Sequence, residues 1–169
     1  LLFLKLFKLI KKFLMIKIDV IIKNKFWKNY LKNPNTYFKK KVRLLNKNIF
    51  LLKKKNLSLS IMLSDSIKIK KLNKEFRKKN KSTDVLSFPF HEKIILNSLI
   101  RKDKNKIYLG DIIVNLAKVK NKNNIDKFKI EFDKLWLHGL AHLMGHTHKT
   151  NKDFKNMQKF EKILFEAIK

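Results

Sequence analysis

The chain has 169 residues, enough for one domain with a core that folds alone. Its 44% apolar content excludes wholesale disorder, and the absence of cysteine excludes disulfides and thiolate metal sites. The net charge of +29 admits a polyanionic partner without proving one, because lysine outnumbers arginine 39 to 3 amid abundant Asn, Ile, Phe and Leu, the mixture that A+T-rich codons produce.

The first fourteen residues, LLFLKLFKLIKKFL, put Lys5, Lys8 and Lys12 on one helical face. Lysine interrupts the run too often for a membrane span, which needs about 20 mostly apolar residues, and a signal peptide would place its charge first. A basic amphipathic helix at a membrane surface is one reading. We favour the other, an N-terminal extension over residues 1–14, with a single domain over 15–169 that begins at Met15. From Ile16, IKIDVII alternates like a strand. Thr36 is the expected cap of a helix carrying Phe38, Val42, Leu45, Ile49 and Leu52. LSLSIML, residues 57–63, is the clearest strand pattern in the chain. Ser64 or Asp65 then caps a short helix with Ile69, Leu72 and Phe76 inward.

STDVLSFPF predicts a strand that Pro89 closes or confines to an edge. Residues 91–106 read as a lysine-rich loop or weak hairpin. YLGDIIVNL predicts a strand opened by Gly110, and Asn124 or Asp126 starts a long helix through His142. A last helix, Asn151 to Ile168, is expected to bury Phe154, Met157, Phe160, Leu164 and Ala167. These elements make one α+β domain: about four strands packed against helices, with a candidate metal site at the end of a central helix.

That site is the chain's most unusual feature. Four of its five histidines fall in LWLHGLAHLMGHTHK: His138, His142, His146 and His148. His138 and His142, four apart on a helix, stack on one face, where two nitrogens can reach one ion. Gly145, one of only three glycines, can cap the helix in the left-handed conformation and turn the chain so that His148 brings a third nitrogen. Three histidines with an open position describe a catalytic zinc site. His146 is expected to face the substrate or to orient a ligand, and its exchange with His148 stays open. The glutamate of the metalloprotease motif His-Glu-x-x-His is replaced by Gly139, so a peptidase lacks its base.

HGLAHLMGHTH resembles the signature of the YbeY family of bacterial single-strand-specific endoribonucleases. Two further blocks agree in order and spacing: LNKEFRKKNKSTDVLSFPF, from Leu72 to Phe90, and LGDIIV, from Leu109 to Val114. MIKIDV resembles the family's usual start. The resemblance implies a small sheet flanked by helices, one zinc ion on His138, His142 and His148, and a catalytic role for Arg77. It also implies a cytoplasmic zinc-dependent endoribonuclease that matures the 3′ end of small-subunit ribosomal RNA and serves ribosome quality control. Its partners would be single-stranded RNA, ribosomal RNA and the small ribosomal subunit. Ala141 stands where a leucine is usual, and Thr147 where the family has an aspartate before the third histidine. The second departure favours an alternative, a non-catalytic RNA- or ribosome-binding factor with structural zinc.

On the leading reading Arg77 clamps phosphate oxygens, and Lys78, Lys79 and Lys81 form a phosphate-tracking rim. Without the resemblance, Arg77 would be read as a solvated charge at a helix end. Asp84, Asp111 and Thr147 are candidates to orient a histidine or a water, the two aspartates being equally suited to capping loops. Phe88 and Phe90 could stack on bases, although core packing is the expectation for both.

Overall fold

Alternation of branched apolar residues with serine and lysine builds the sheet in the computed structural model, which describes residues 16–49, 56–102 and 106–169. Its strands are β1 (Lys17–Ile22), β2 (Leu57–Ser64), β3 (Val85–Pro89) and β4 (Ile107–Asn115), arranged β1-β2-β4-β3. β1, β2 and β4 run parallel, and β3 closes one edge antiparallel to β4. The edge position suits Pro89, which has no N–H to give a second neighbour. In β2, Leu57, Leu59, Ile61 and Leu63 are at most 2% exposed, whereas Ser58, Ser60 and Met62 face the other side and are half-buried. A side-chain period of two makes that split obligatory once one face is covered.

The covering elements are α1 (Pro34–Asn48), α4 (Ile125–Leu143) and α5 (Asn151–Ala167), which join the sheet's inner face in the main core with Trp27, Phe38, Phe128, Phe132 and Trp136. The other face carries α2 (Ser66–Arg77), whose Ile69 packs on Leu86 and Ile113. The fold is thus α+β, one small domain with, among the described residues, five α-helices and a mixed four-stranded sheet. Among the described residues no helix is long and apolar enough to cross a membrane.

Several local expectations change. Asn33, rather than Thr36, caps α1: its side chain accepts from the Thr36 N–H, and Pro34 occupies the first turn, where a missing N–H costs nothing. Of the two caps expected for α2, Asp65 is the one used, accepting from the Ile67 and Lys68 N–H groups. Residues 93–101 are not a loop but a helix, α3 (Lys93–Arg101), of which Leu96 alone is fully buried. Gly110 lies inside β4, at an irregularity where Ser58 pairs with Tyr108 but Ser60 pairs with Asp111. On α5, Phe154 is 49% exposed instead of buried: it stands in the first turn, ahead of buried Met157 and Leu164. Leu52 and the proposed extension over residues 1–14 lie outside the described residues.

Two features seat α4. At Gly139 a Cβ would stand 2.8 Å from Ile112 Cγ2, so the missing side chain lets the helix lie close on β4. Six residues earlier, buried Asp133 takes the Tyr37 hydroxyl at 2.7 Å, the Trp136 indole N–H at 2.8 Å and the Lys41 ammonium at 2.7 Å. Every partner of this carboxylate is a donor, so its burial is compensated and α1 is tied to α4. Burial and the adjacent carboxylate push the Tyr37 hydroxyl far above the ordinary tyrosine range, and it stays a donor.

Candidate metal centre

The end of α4 is shaped by its C-terminal motif. Met144 ends the helix, and Gly145 follows at φ +83°, with its N–H on the His142 carbonyl (2.9 Å) and the His146 N–H on that of Ala141 (3.0 Å). This paired pattern satisfies two orphan carbonyls and reverses the chain within three residues. The reversal carries His148 back to the helix end. One ligating nitrogen from each of His138, His142 and His148 then lies within 4.8 Å of the others.

Both helical imidazoles are held from behind. His138 donates from Nδ1 to Glu161 Oε1 on α5 (2.7 Å), and His142 donates from Nδ1 to the His146 carbonyl (3.0 Å). Because a carboxylate and a carbonyl can only accept, each Nδ1 carries the proton and each Nε2 is left with a lone pair. Those Nε2 atoms face one another at 3.1 Å. Two lone pairs so close require a cation or a proton between them. Burial, then the charges of His138, His148 and Arg77, push the His142 imidazole below its ordinary range, against the effect of its bond to the His146 carbonyl, and this disfavours a second proton on His142. Nitrogens sharing a tetrahedral ion at about 2.0–2.1 Å lie about 3.3 Å apart, so the donor set suits a metal ion.

The family model described as Endoribonuclease YbeY matches residues 21–169. The chain belongs to the YbeY endoribonuclease family. Curated relatives of that name include one from Pelagibacter ubique, 41% identical over 92% of this chain and 97% of its own length. Another, from Buchnera aphidicola subsp. Cinara cedri, is 40% identical over 94% of each chain. A solution structure of a Thermotoga maritima protein aligns with a TM-score of 0.51 at 23% identity, covering 89% of this chain and 90% of that one, which supports the fold.

Around this YbeY histidine cluster the other sequence candidates separate. Arg77 ends α2 and donates from Nη2 to the Ser87 carbonyl of β3 (3.3 Å), close enough for its charge to act on His142. Lys78, Lys79 and Lys81 are exposed beside it, and the Lys78 ammonium turns back to the Glu75 carbonyl. Asp84 does loop work, accepting from the Thr83 hydroxyl and the Val85 N–H. Asp111 accepts from the Tyr108 hydroxyl and lines a groove with Ile113, Leu72 and Phe76, on the α2 side of the sheet. Ile112, its neighbour, faces α4, so Asp111 points away from the histidines. The histidine nearest in sequence to the cluster, His146, stays out of it: its ring stacks on Phe160 at 4.4 Å, where burial and Lys93 push its pKa down, partly offset by Glu161. Thr147 is exposed and, among the described residues, makes no hydrogen bond to a histidine.

The residue that sequence reasoning passed over is Glu161. It stands four after buried Met157 and three before buried Leu164, so it interrupts the apolar stripe of α5. An acidic side chain on such a stripe needs a partner, and that break in the pattern is the signal that marks it.

Proposed function

We propose that this chain is a zinc-dependent endoribonuclease that cuts single-stranded RNA, with the 3′ end of small-subunit ribosomal RNA as its substrate. Family membership supports RNA cleavage, and the converging imidazoles support the metal. The observation that carries the reading is the pair of Nε2 lone pairs at 3.1 Å with both Nδ1 protons already committed. His138, His142 and His148 would hold the ion, all nitrogen ligands on a chain without cysteine. Zinc, when bound, supplies a Lewis acid that acidifies water and polarises phosphate oxygens.

The chain's own residues do the rest. Arg77 spends one N–H on Ser87 and keeps the others of its fork for the phosphate whose negative charge grows during cleavage. The backbone carbonyl at its back fixes the guanidinium without neutralising it. Lys78, Lys79 and Lys81 extend the cationic surface along the sugar–phosphate chain, giving affinity with little sequence selectivity. The aspartate absent at position 147 is no obstacle to an ordered site, since Glu161 brings a carboxylate to His138 from α5. This weakens the alternative of a non-catalytic binding factor with structural zinc.

Zinc-loaded protein incubated with single-stranded RNA tests the proposal, beside His142→Ala and Arg77→Ala. Cleavage that disappears in both variants, with zinc lost only from the first, is the expected result. RNA bound but uncut by the zinc-loaded wild type would refute it and favour the binding factor.

A further inference from the structure

Beside His142 opens a cleft of about 500 Å3, within the roughly 300–1,000 Å3 typical of small-ligand sites. Its walls include Phe90, His91, Lys93, His142, His146 and Lys149, with Glu92 the one acidic residue among its lining. Two of the chain's three glycines shape it. At Gly110 (φ +129°) a Cβ would collide with the Phe88 carbonyl oxygen and come within 2.9 Å of the Phe90 nitrogen. Glycine there allows the chain beyond β3 to lie against β4, where the Phe90 N–H reaches the Leu109 carbonyl at 2.9 Å. At Gly145 a Cβ would stand 2.8 Å from Lys93 Cγ, so the lysine stem crosses the turn in the space a side chain would fill.

Phe90 is the residue without a structural reason to be aromatic. It is 67% exposed, in T-shaped contact with the rings of His91 (4.9 Å) and Tyr108 (5.5 Å), and not packed into the core. Its neighbour Phe88 is half-buried against Phe76, which accounts for that ring. A backbone pinned by a hydrogen bond, a largely exposed aromatic ring and two lysines around a cleft that shares a wall with the histidine cluster form a coherent set. An unpaired base stacks on such a ring, and its phosphates meet the ammonium groups.

We propose that this cleft is a nucleotide subsite, in which Phe90 stacks one unpaired base of the RNA flanking the scissile phosphate while Lys93 and Lys149 hold its backbone. The inference rests on the nuclease reading above and adds the position and chemistry of one substrate unit. A base inside a duplex has both faces covered by its neighbours, so the platform admits only unstacked nucleotides.

The test compares a six-residue oligoadenylate with an abasic ribose–phosphate chain of equal length. Binding to zinc-loaded protein is read by stopped-flow anisotropy before turnover. Phe90→Ala should weaken the oligoadenylate by about 5- to 100-fold and leave the abasic chain unchanged, Phe90→Trp should preserve binding, and Lys93→Ala with Lys149→Ala should weaken both chains alike. Phe90→Ala that binds oligoadenylate as wild type does, or loses equally on both chains, overturns the subsite while leaving the nuclease standing if the wild type still cuts RNA. Wild type that binds neither chain overturns both. Phe90 is exposed, so its variants should fold, and their circular dichroism and zinc content should match the wild type.

Discussion

Removing the Glu161 carboxylate probes how the proposed metal centre is built. Its bond to His138 Nδ1 is short, 2.7 Å, and charge-assisted, a class that contributes about 1.5–3 kcal/mol. The two side chains are 29% and 34% exposed, so solvent screens the pair and the lower half of that range applies. At about 1.4 kcal/mol per tenfold, Glu161→Ala should weaken zinc binding by about 12- to 40-fold, within the span of about 10–100-fold known for such supporting contacts. Glu161→Gln keeps an acceptor of the same shape and loses the charge, so it should lose about 3- to 6-fold, roughly half the free energy. Competition against a chromophoric chelator measures the affinity, and thermal unfolding of the metal-free proteins separates ligand orientation from stability. Equal zinc affinity in wild type and Glu161→Ala would refute the reasoning. So would a loss in metal-free stability large enough to account for the weaker binding.

Arg77→Lys keeps the charge but loses the fork, and should lower kcat about 100-fold or more with unchanged zinc content; a variant cutting RNA at the wild-type rate would exclude Arg77 from the chemistry. Gly110→Ala meets a backbone oxygen that cannot yield, at a φ that side chains rarely adopt, and should lower unfolding free energy by at least about 2 kcal/mol, seen as a lower urea midpoint at unchanged slope. Acid should destabilise the metal-free protein through His142 and His146, both held below the ordinary histidine range by burial. The unfolded chain then binds more protons than the folded one as pH falls through about 6.5, so the stability present above that pH is lost towards the lower folded pKa values. Urea midpoints at pH 7.5 and pH 5 check this, and His146→Gln should shrink the difference; a midpoint unchanged or higher at pH 5 contradicts it.

Much of the architecture was legible because its cause is local. Strand alternation in LSLSIML and the apolar stripe of α4 follow from backbone periods of two and 3.6 residues, and each became the expected element. The four-residue step between His138 and His142 and the scarce glycine after them belong to the same class of signal, since neighbours on one helix face converge whatever the helix packs against. α3 was missed for the converse reason. It buries only Leu96 fully and leaves Ile94 and Ile95 exposed at 81% and 51%, so no clean stripe marks it as a helix. Phe90 was expected in the core, but it follows Pro89, where the edge strand β3 ends, and is 67% exposed.

By itself the sequence determined the spacing of the candidate nitrogen ligands, the side of each strand that is apolar and the family to which the chain belongs. Tertiary structure decided which histidines are braced and by what: Glu161 is 23 residues from His138, and only the packing of α5 on α4 joins them. It also decided that Asp111 faces away from the histidines and that Phe90, largely exposed, lines the same cleft as His142. Backbone period is set by bonds between near neighbours. The meeting of distant side chains depends on how whole elements bury their apolar faces, which no short stretch of the chain contains.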